Sequence, residues 1–207
     1  MEKTIIYLIR HGQTEWNLEK RMQGHKNSPL TKLGLSQAQK LHDRLANERF
    51  DLIYCSESKR AYDTANIING NRNIPIHTVT EFREIHMGKW EGMKQEDIID
   101  TYPKTWINFW NNPLMYVPID GGESYQELRE RVIPKLEAII NSNQGKKIII
   151  VTHRITLRVI MSYFKNQDIR DACNNPDIEP ASLSKVCIQD GISTILLYGD
   201  ISHYNFL

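Results

Sequence analysis

The sequence predicts an α/β protein: a three-layer α/β/α sandwich with a mostly parallel sheet and an antiparallel edge strand. Three observations carry this. Short apolar runs rich in β-branched residues recur at 4–9, 51–55, 74–79 and 147–152, and helical stripes separate them. The clearest runs are apolar at every position rather than at every second one, the pattern of strands covered on both faces. Near the end, Asp190-Gly191 lies between two further strand-like runs, a hairpin signal that adds an antiparallel edge.

The elements follow in order. Residues 4–9 form a buried strand. Pro29-Leu30-Thr31 opens a helix with Thr31 as N-cap, and Leu35, Ala38, Leu41 and Leu45 supply its stripe. Residues 51–55 are the second strand, and Ala61, Ala65 and Ile68 mark a helix ending at Gly70. Residues 74–79 are a third strand, which Pro75 places near an edge. The stretch 80–123 is less regular and holds three of the four tryptophans. Ser124 and Glu127 then form a capping box for a long helix through Leu128, Val132, Leu136 and Ile139, which Pro134 should kink. Residues 147–152 are the most strand-like of all, and Leu157, Ile160, Met161 and Phe164 make the helix after them. Runs 185–189 and 193–198 flank the final turn.

With 207 residues, no internal repeat and no Gly, Ser or Pro-rich linker, residues 1–207 read as one domain. A formal net charge of +1, from 26 basic and 25 acidic side chains, lacks the basic excess of a nucleic-acid or anionic-membrane binder. The longest apolar runs fall far short of the ~20 residues that cross a bilayer. Cys55, Cys173 and Cys187 are odd in number and widely spaced, as in a reducing compartment, and the first residues lack a signal-peptide core. These features predict a cytoplasmic protein, a monomer or homodimer, with neither nucleic acid nor membrane as partner.

In an open parallel sheet, ligands bind beyond the carboxyl ends of the strands. Arg10-His11-Gly12 follow the first strand, Ser56 to Arg60 the second, and His153-Arg154 the strand at 147–152. Two histidines and two arginines from distant segments would then share one edge, with Glu84 beyond the third strand able to join them. Such a cluster is costly to bury without an anion, and the planar fork of Arg suits phosphate oxygens. The seven histidines show no metal-ligand spacing, so neither a metal nor another cofactor is expected.

Five segments carry a resemblance: residues 8–17 (LIRHGQTEWN), 56–65 (SESKRAYDTA), 82–92 (FREIHMGKWEG), 121–124 (GGES) and 151–153 (VTH). In this order they resemble the histidine phosphatase superfamily, which includes the phosphoglycerate mutases, over roughly residues 4–200. The resemblance implies that His11 is the nucleophile that becomes phosphorylated. It implies further that Arg10, Arg60 and His153 hold the phosphoryl oxygens, that Glu84 is the proton donor, and that Asn17, Gln23 and Gly24 contact the phosphate or its ester. Arg154 departs from the pattern, since the family usually has Gly after the second histidine. It would either crowd the site or pair with a second anionic group on the substrate.

The function implied is metal-independent hydrolysis of small phosphate monoesters, with a small phosphorylated metabolite as substrate. The compact span from Glu84 to Ser124 and the aromatic stretch 106–118 resemble the broad-specificity phosphatases of the family. The alternatives are mutase-type phosphoryl transfer and a catalytically weak phospho-ligand-binding module. Trp106, Phe109, Trp110, Met115 and Tyr116 are either packing or pocket wall. His25, His77 and His203 read as surface residues, and Arg83 as an ion-pair partner.

Overall fold

The computed structural model describes residues 2–204. In chain order the elements are β1 (Thr4–Arg10), α1 (Glu15–Leu18), α2 (Lys32–Arg44), β2 (Leu52–Ser56), α3 (Lys59–Asn69), β3 (Ile76–Val79), α4 (Gln95–Thr101), α5 (Pro103–Asn111), α6 (Tyr125–Ser142), β4 (Lys147–Thr152), α7 (Arg154–Phe164), β5 (Leu183–Gln189) and β6 (Ile192–Asp200). The strands form one sheet in the order β3-β2-β4-β1-β5-β6. The first four are mutually parallel, and the β5–β6 hairpin adds two antiparallel strands at one side. Asp190 and Gly191 both have positive φ, 54° and 77°, as a tight two-residue hairpin turn requires.

Alternation within the central strands creates the layers. Ile6, Leu8, Ile148 and Ile150 face a core closed by α6 and α7 through Leu128, Val132, Leu136, Leu157 and Ile160. Tyr7, Ile9, Ile149 and Val151 face the other core, with Leu41 from α2 and Ala61, Ala65 and Ile68 from α3. Both faces are buried, which explains why these strands are apolar throughout. Truncating one such residue, as in Ile150→Ala, should cost about 2–5 kcal/mol.

The helix ends are set as their sequences indicate. Thr31 accepts from the Gly34 amide at 2.9 Å, and Ser124 and Glu127 close a reciprocal capping box. The helix α6 runs unbroken through Pro134, which lies on its exposed side. Other expectations are corrected. Leu35 is 46% exposed, and the buried face of α2 carries Gly34 and Gln37 instead. The third strand begins at Ile76, because the Asn69 amide takes both backbone groups of Ile74. His203 is buried beside Arg44 and Tyr204, and His25 is half-buried against the His86 ring, so neither is a surface residue.

Candidate active site

Parallel pairing of β1 with β4, and of β4 with β2, delivers three strand ends to one edge. The register sets Arg10 beside Thr152, and the His11 amide donates to the Thr152 carbonyl at 3.0 Å. His11 and His153, the residues that follow β1 and β4, therefore stand as neighbours, with ring centroids 5.2 Å apart. Gly12 allows the sharp exit: a Cβ there would lie 2.6 Å from the Gly34 carbonyl oxygen at the start of α2.

Hydrogen bonds fix the tautomer of His11. Its Nδ1 lies 2.7 Å from the Gly12 carbonyl oxygen, which can only accept, so Nδ1 carries the proton. Nε2 keeps its lone pair and accepts from Arg60 Nε at 3.4 Å. Burial, then Arg60 and Arg10, push the His11 pKa well below its ordinary value. Burial and Arg60 do the same to His153. Both imidazoles are thus neutral at pH 7 while both arginines stay charged; burial lowers each guanidinium only to about 10.

Each cation is anchored to backbone. Arg60 donates to the Gly24 carbonyl at 2.8 Å and to the Lys26 carbonyl at 2.7 Å, and Arg10 donates to the Ile178 carbonyl at 2.6 Å. His153 Nε2 lies 2.8 Å from Ser56 Oγ and 3.2 Å from Ser58 Oγ. Arg10 Nε and His153 Nδ1 are buried without a hydrogen-bond partner among the described residues, an arrangement suited to an anionic oxygen. Glu84 is buried at the N-terminus of α7. Its Oε1 accepts from the Ile85 and Thr156 amides, and its Oε2 from the Ile155 amide at 3.1 Å, while the Thr156 hydroxyl, 3.1 Å from Oε1, donates to the Arg83 carbonyl at 2.9 Å. The N-terminal helix end and the carboxylate attract each other, which fixes Glu84 in place.

The expected residues converge. Arg10, His11, Asn17, Gln23, Gly24, Arg60, Glu84 and Arg154 border one open cleft, and His153 packs directly behind His11. Within that set the structure separates roles. The Gln23 amide is taken up by Thr14 Oγ1 at 2.7 Å and by Ser28, so its side chain braces the loop. Asn17 Oδ1 closes a capping box with Thr14, leaving Nδ2 for other partners. Arg154 is bound by Asp177. Of the aromatic stretch only Trp110 lines the cleft; Phe109 and Tyr116 are core, and Met115 is 67% exposed. Arg83 pairs with Glu57.

Three supporting residues have no local signal for their roles in the sequence. Glu91, one of the acidic residues near Glu84, is buried and accepts from the His25, Lys26 and Met87 amides, which holds the loop that anchors Arg60. Arg131 donates to the Glu81, Arg83 and Glu84 carbonyls and pairs with Glu123. Asp177 is the partner of Arg154. No group of three metal-ligating side chains occurs among the described residues.

This arrangement defines a class: the chain belongs to the histidine phosphatase superfamily (branch 1), whose family model matches residues 6–201. Among its relatives is the metal-independent phosphoserine phosphatase of Arabidopsis thaliana, 33% identical over 204 residues, 98% of this chain and 84% of the relative. Phosphoglycerate mutase-like protein 4 of the same plant is 31% identical over 201 residues, 96% of this chain and 86% of the relative. Bacillus stearothermophilus YhfR has the same fold, with a TM-score of 0.92 and 36% identity over 97% of this chain and 98% of that one.

Proposed function

We propose that this chain is a phosphatase that hydrolyses small phosphate monoesters through a phosphohistidine on His11. The observation that carries the reading is the state of His11: buried, neutral, with its proton held on Nδ1 by the Gly12 carbonyl and its Nε2 lone pair beside Arg60. Phosphoryl transfer needs positioning and charge neutralisation more than covalent power. Arg10 and Arg60 supply the charge, and the strand-end turn supplies the position.

In the first step Nε2 attacks phosphorus, the P–O bond to the ester breaks, and Glu84 gives its proton to the departing oxygen. In the second step Glu84 takes a proton from water as the water oxygen attacks phosphorus. The P–N bond then breaks, inorganic phosphate leaves, and His11 regains its lone pair. Glu84 Oε2 accepts from one backbone amide where Oε1 accepts from two, so Oε2 is the oxygen with more room to carry the proton. His153 and the Asn17 amide complete the phosphate contacts, and the Gly24 loop aims Arg60.

The leaving group lies against Met22, Met87 and Trp110, a wall suited to a small metabolite. Three free thiols fit a cytoplasmic setting. No helix among the described residues is long and apolar enough to cross a membrane. The name of the Arabidopsis relative supports a reaction that side chains carry without metal. Release of phosphate from a nitrophenyl phosphate tests the reading. Turnover should be unchanged by EDTA and abolished in His11→Ala; no turnover, or turnover that chelation removes and a divalent ion restores, rejects it.

A further inference from the structure

Arg154, the first residue of α7, stands where the family usually has Gly, and it lines the cleft beside Arg10. Its guanidinium is occupied. Nε donates to Asp177 Oδ1 at 2.7 Å and a terminal nitrogen donates to Oδ2, while Cζ sits 4.5 Å from the centroid of the Trp110 ring. Arg158, one turn further along α7, donates to the same Oδ1 at 3.1 Å. Asp177 is therefore pinned to the first turns of α7 by two arginines.

Asp177 acts in turn on its own neighbour. Its Oδ1 accepts from the Ile178 amide at 2.8 Å, and the Ile178 carbonyl accepts from Arg10 Nη1 at 2.6 Å. Among the described residues this carbonyl is the hydrogen-bond partner of the Arg10 side chain. The same segment continues behind the nucleophile: the Ser182 carbonyl accepts from the Arg10 amide at 3.4 Å, and the Ala181 amide donates to the His11 carbonyl at 3.1 Å. A short chain of bonds thus runs from Arg154 through Asp177 and Ile178 to Arg10.

We infer that Arg154 and Asp177 are a positioning pair that aims Arg10 at the phosphate, and that Arg154 neither binds substrate nor obstructs it. The inference rests on the proposed phosphate site. Charge-assisted, two-point pairing fixes a guanidinium and a carboxylate in one geometry. Stacking on Trp110 removes most of the remaining freedom of Arg154. Displacement of a positioned group by about 1 Å can cost on the order of 10²-fold.

The test uses the full chain as Arg154→Gly, Arg154→Lys, Asp177→Asn and Arg10→Ala, with Arg154→Gly also placed in the Arg10→Ala background. Orthovanadate binding by calorimetry is read alongside kcat, KM and melting temperature, on an aryl phosphate and on a phosphorylated hydroxy acid. Arg154→Gly and Asp177→Asn should each weaken orthovanadate binding and lower kcat/KM by about 10- to 100-fold, equally on both esters. Arg154→Lys should recover part of the loss, and Arg154→Gly should add nothing once Arg10 is gone.

A loss confined to the hydroxy-acid ester makes Arg154 a substrate contact and overturns the inference. A gain on both esters makes it an obstruction and does the same, as does an undiminished effect in the Arg10→Ala background. Asp177→Asn preserves shape and carries the test if Arg154→Gly does not fold. Orthovanadate binding that is intact in both variants removes this inference alone; a wild-type chain that binds none removes the phosphate site with it.

Discussion

The Gly24 carbonyl accepts from Arg60 Nη2 at 2.8 Å, so the loop that frames the cleft also aims the guanidinium whose Nε meets His11. Arg60 uses a different nitrogen for each of these contacts and a third for the Lys26 carbonyl. A lysine has one nitrogen on a flexible stem and cannot span the three. Arg60→Lys should therefore lose about 10²–10³-fold in kcat, the range for removing a donor that meets developing charge. Steady-state kinetics check this; a loss below tenfold would mean that charge alone suffices.

Gly24 cannot be replaced freely. It has φ +52°, and a Cβ on it would overlap the Glu91 carboxylate. Gly24→Ala should lower stability by about 1–3 kcal/mol and raise KM, because the loop that anchors Arg60 must shift. Thermal melts and KM determine the outcome. Unchanged values of both would show that Glu91 yields without cost.

Much of this was legible in the sequence because the central strands are apolar on both faces and each leads directly into residues at the cleft. Thr4–Arg10 and Lys147–Thr152 place His11 and His153 by pairing alone. The helical stripe misled at Leu35, because the first turns of α2 pack on the loop through Gly34 and Gln37, and the core contact comes further along, at Leu41. There the Gln37 side chain accepts from the Gln13 amide, and Gly34 makes room for Gln13. The burial of His203 depends on Arg44, 159 positions away, and the grip on Arg154 depends on Asp177, 23 positions away. Local pattern carries no trace of such pairs. Glu84 was legible from its motif, but its seat on the α7 amides comes only from the fold.

Glu84→Gln should separate substrates by leaving group. An alkoxide needs the proton that the proposed mechanism takes from Glu84, and a nitrophenolate hardly does. General-acid help is worth about 10²–10⁴-fold, so alkyl phosphates should lose that much and aryl phosphates far less. Parallel kinetics on both classes check it. Equal losses would move the proton to another group.

Stability should fall on mild acidification. Burial chiefly holds His25 and His203 to about 4 against an ordinary 6.5, and holds His11 and His153 well below 6.5. Between those values the unfolded chain binds more protons than the folded one, so stability is full above about pH 6.5 and is lost as pH falls toward 4. Melting temperature should drop across that window, and His203→Gln should flatten the slope. A melting temperature that rises on acidification contradicts the neutral, buried histidines.

The central claim is that His11 Nε2 forms a bond to phosphorus. Rapid quench of the enzyme with a phosphate-labelled substrate measures it most directly. A phosphoramidate is acid-labile and base-stable, so label should remain on the protein after alkaline quench, vanish after acid quench, map to His11 and be absent from His11→Ala. Label that survives acid, maps elsewhere or persists in His11→Ala would contradict the account.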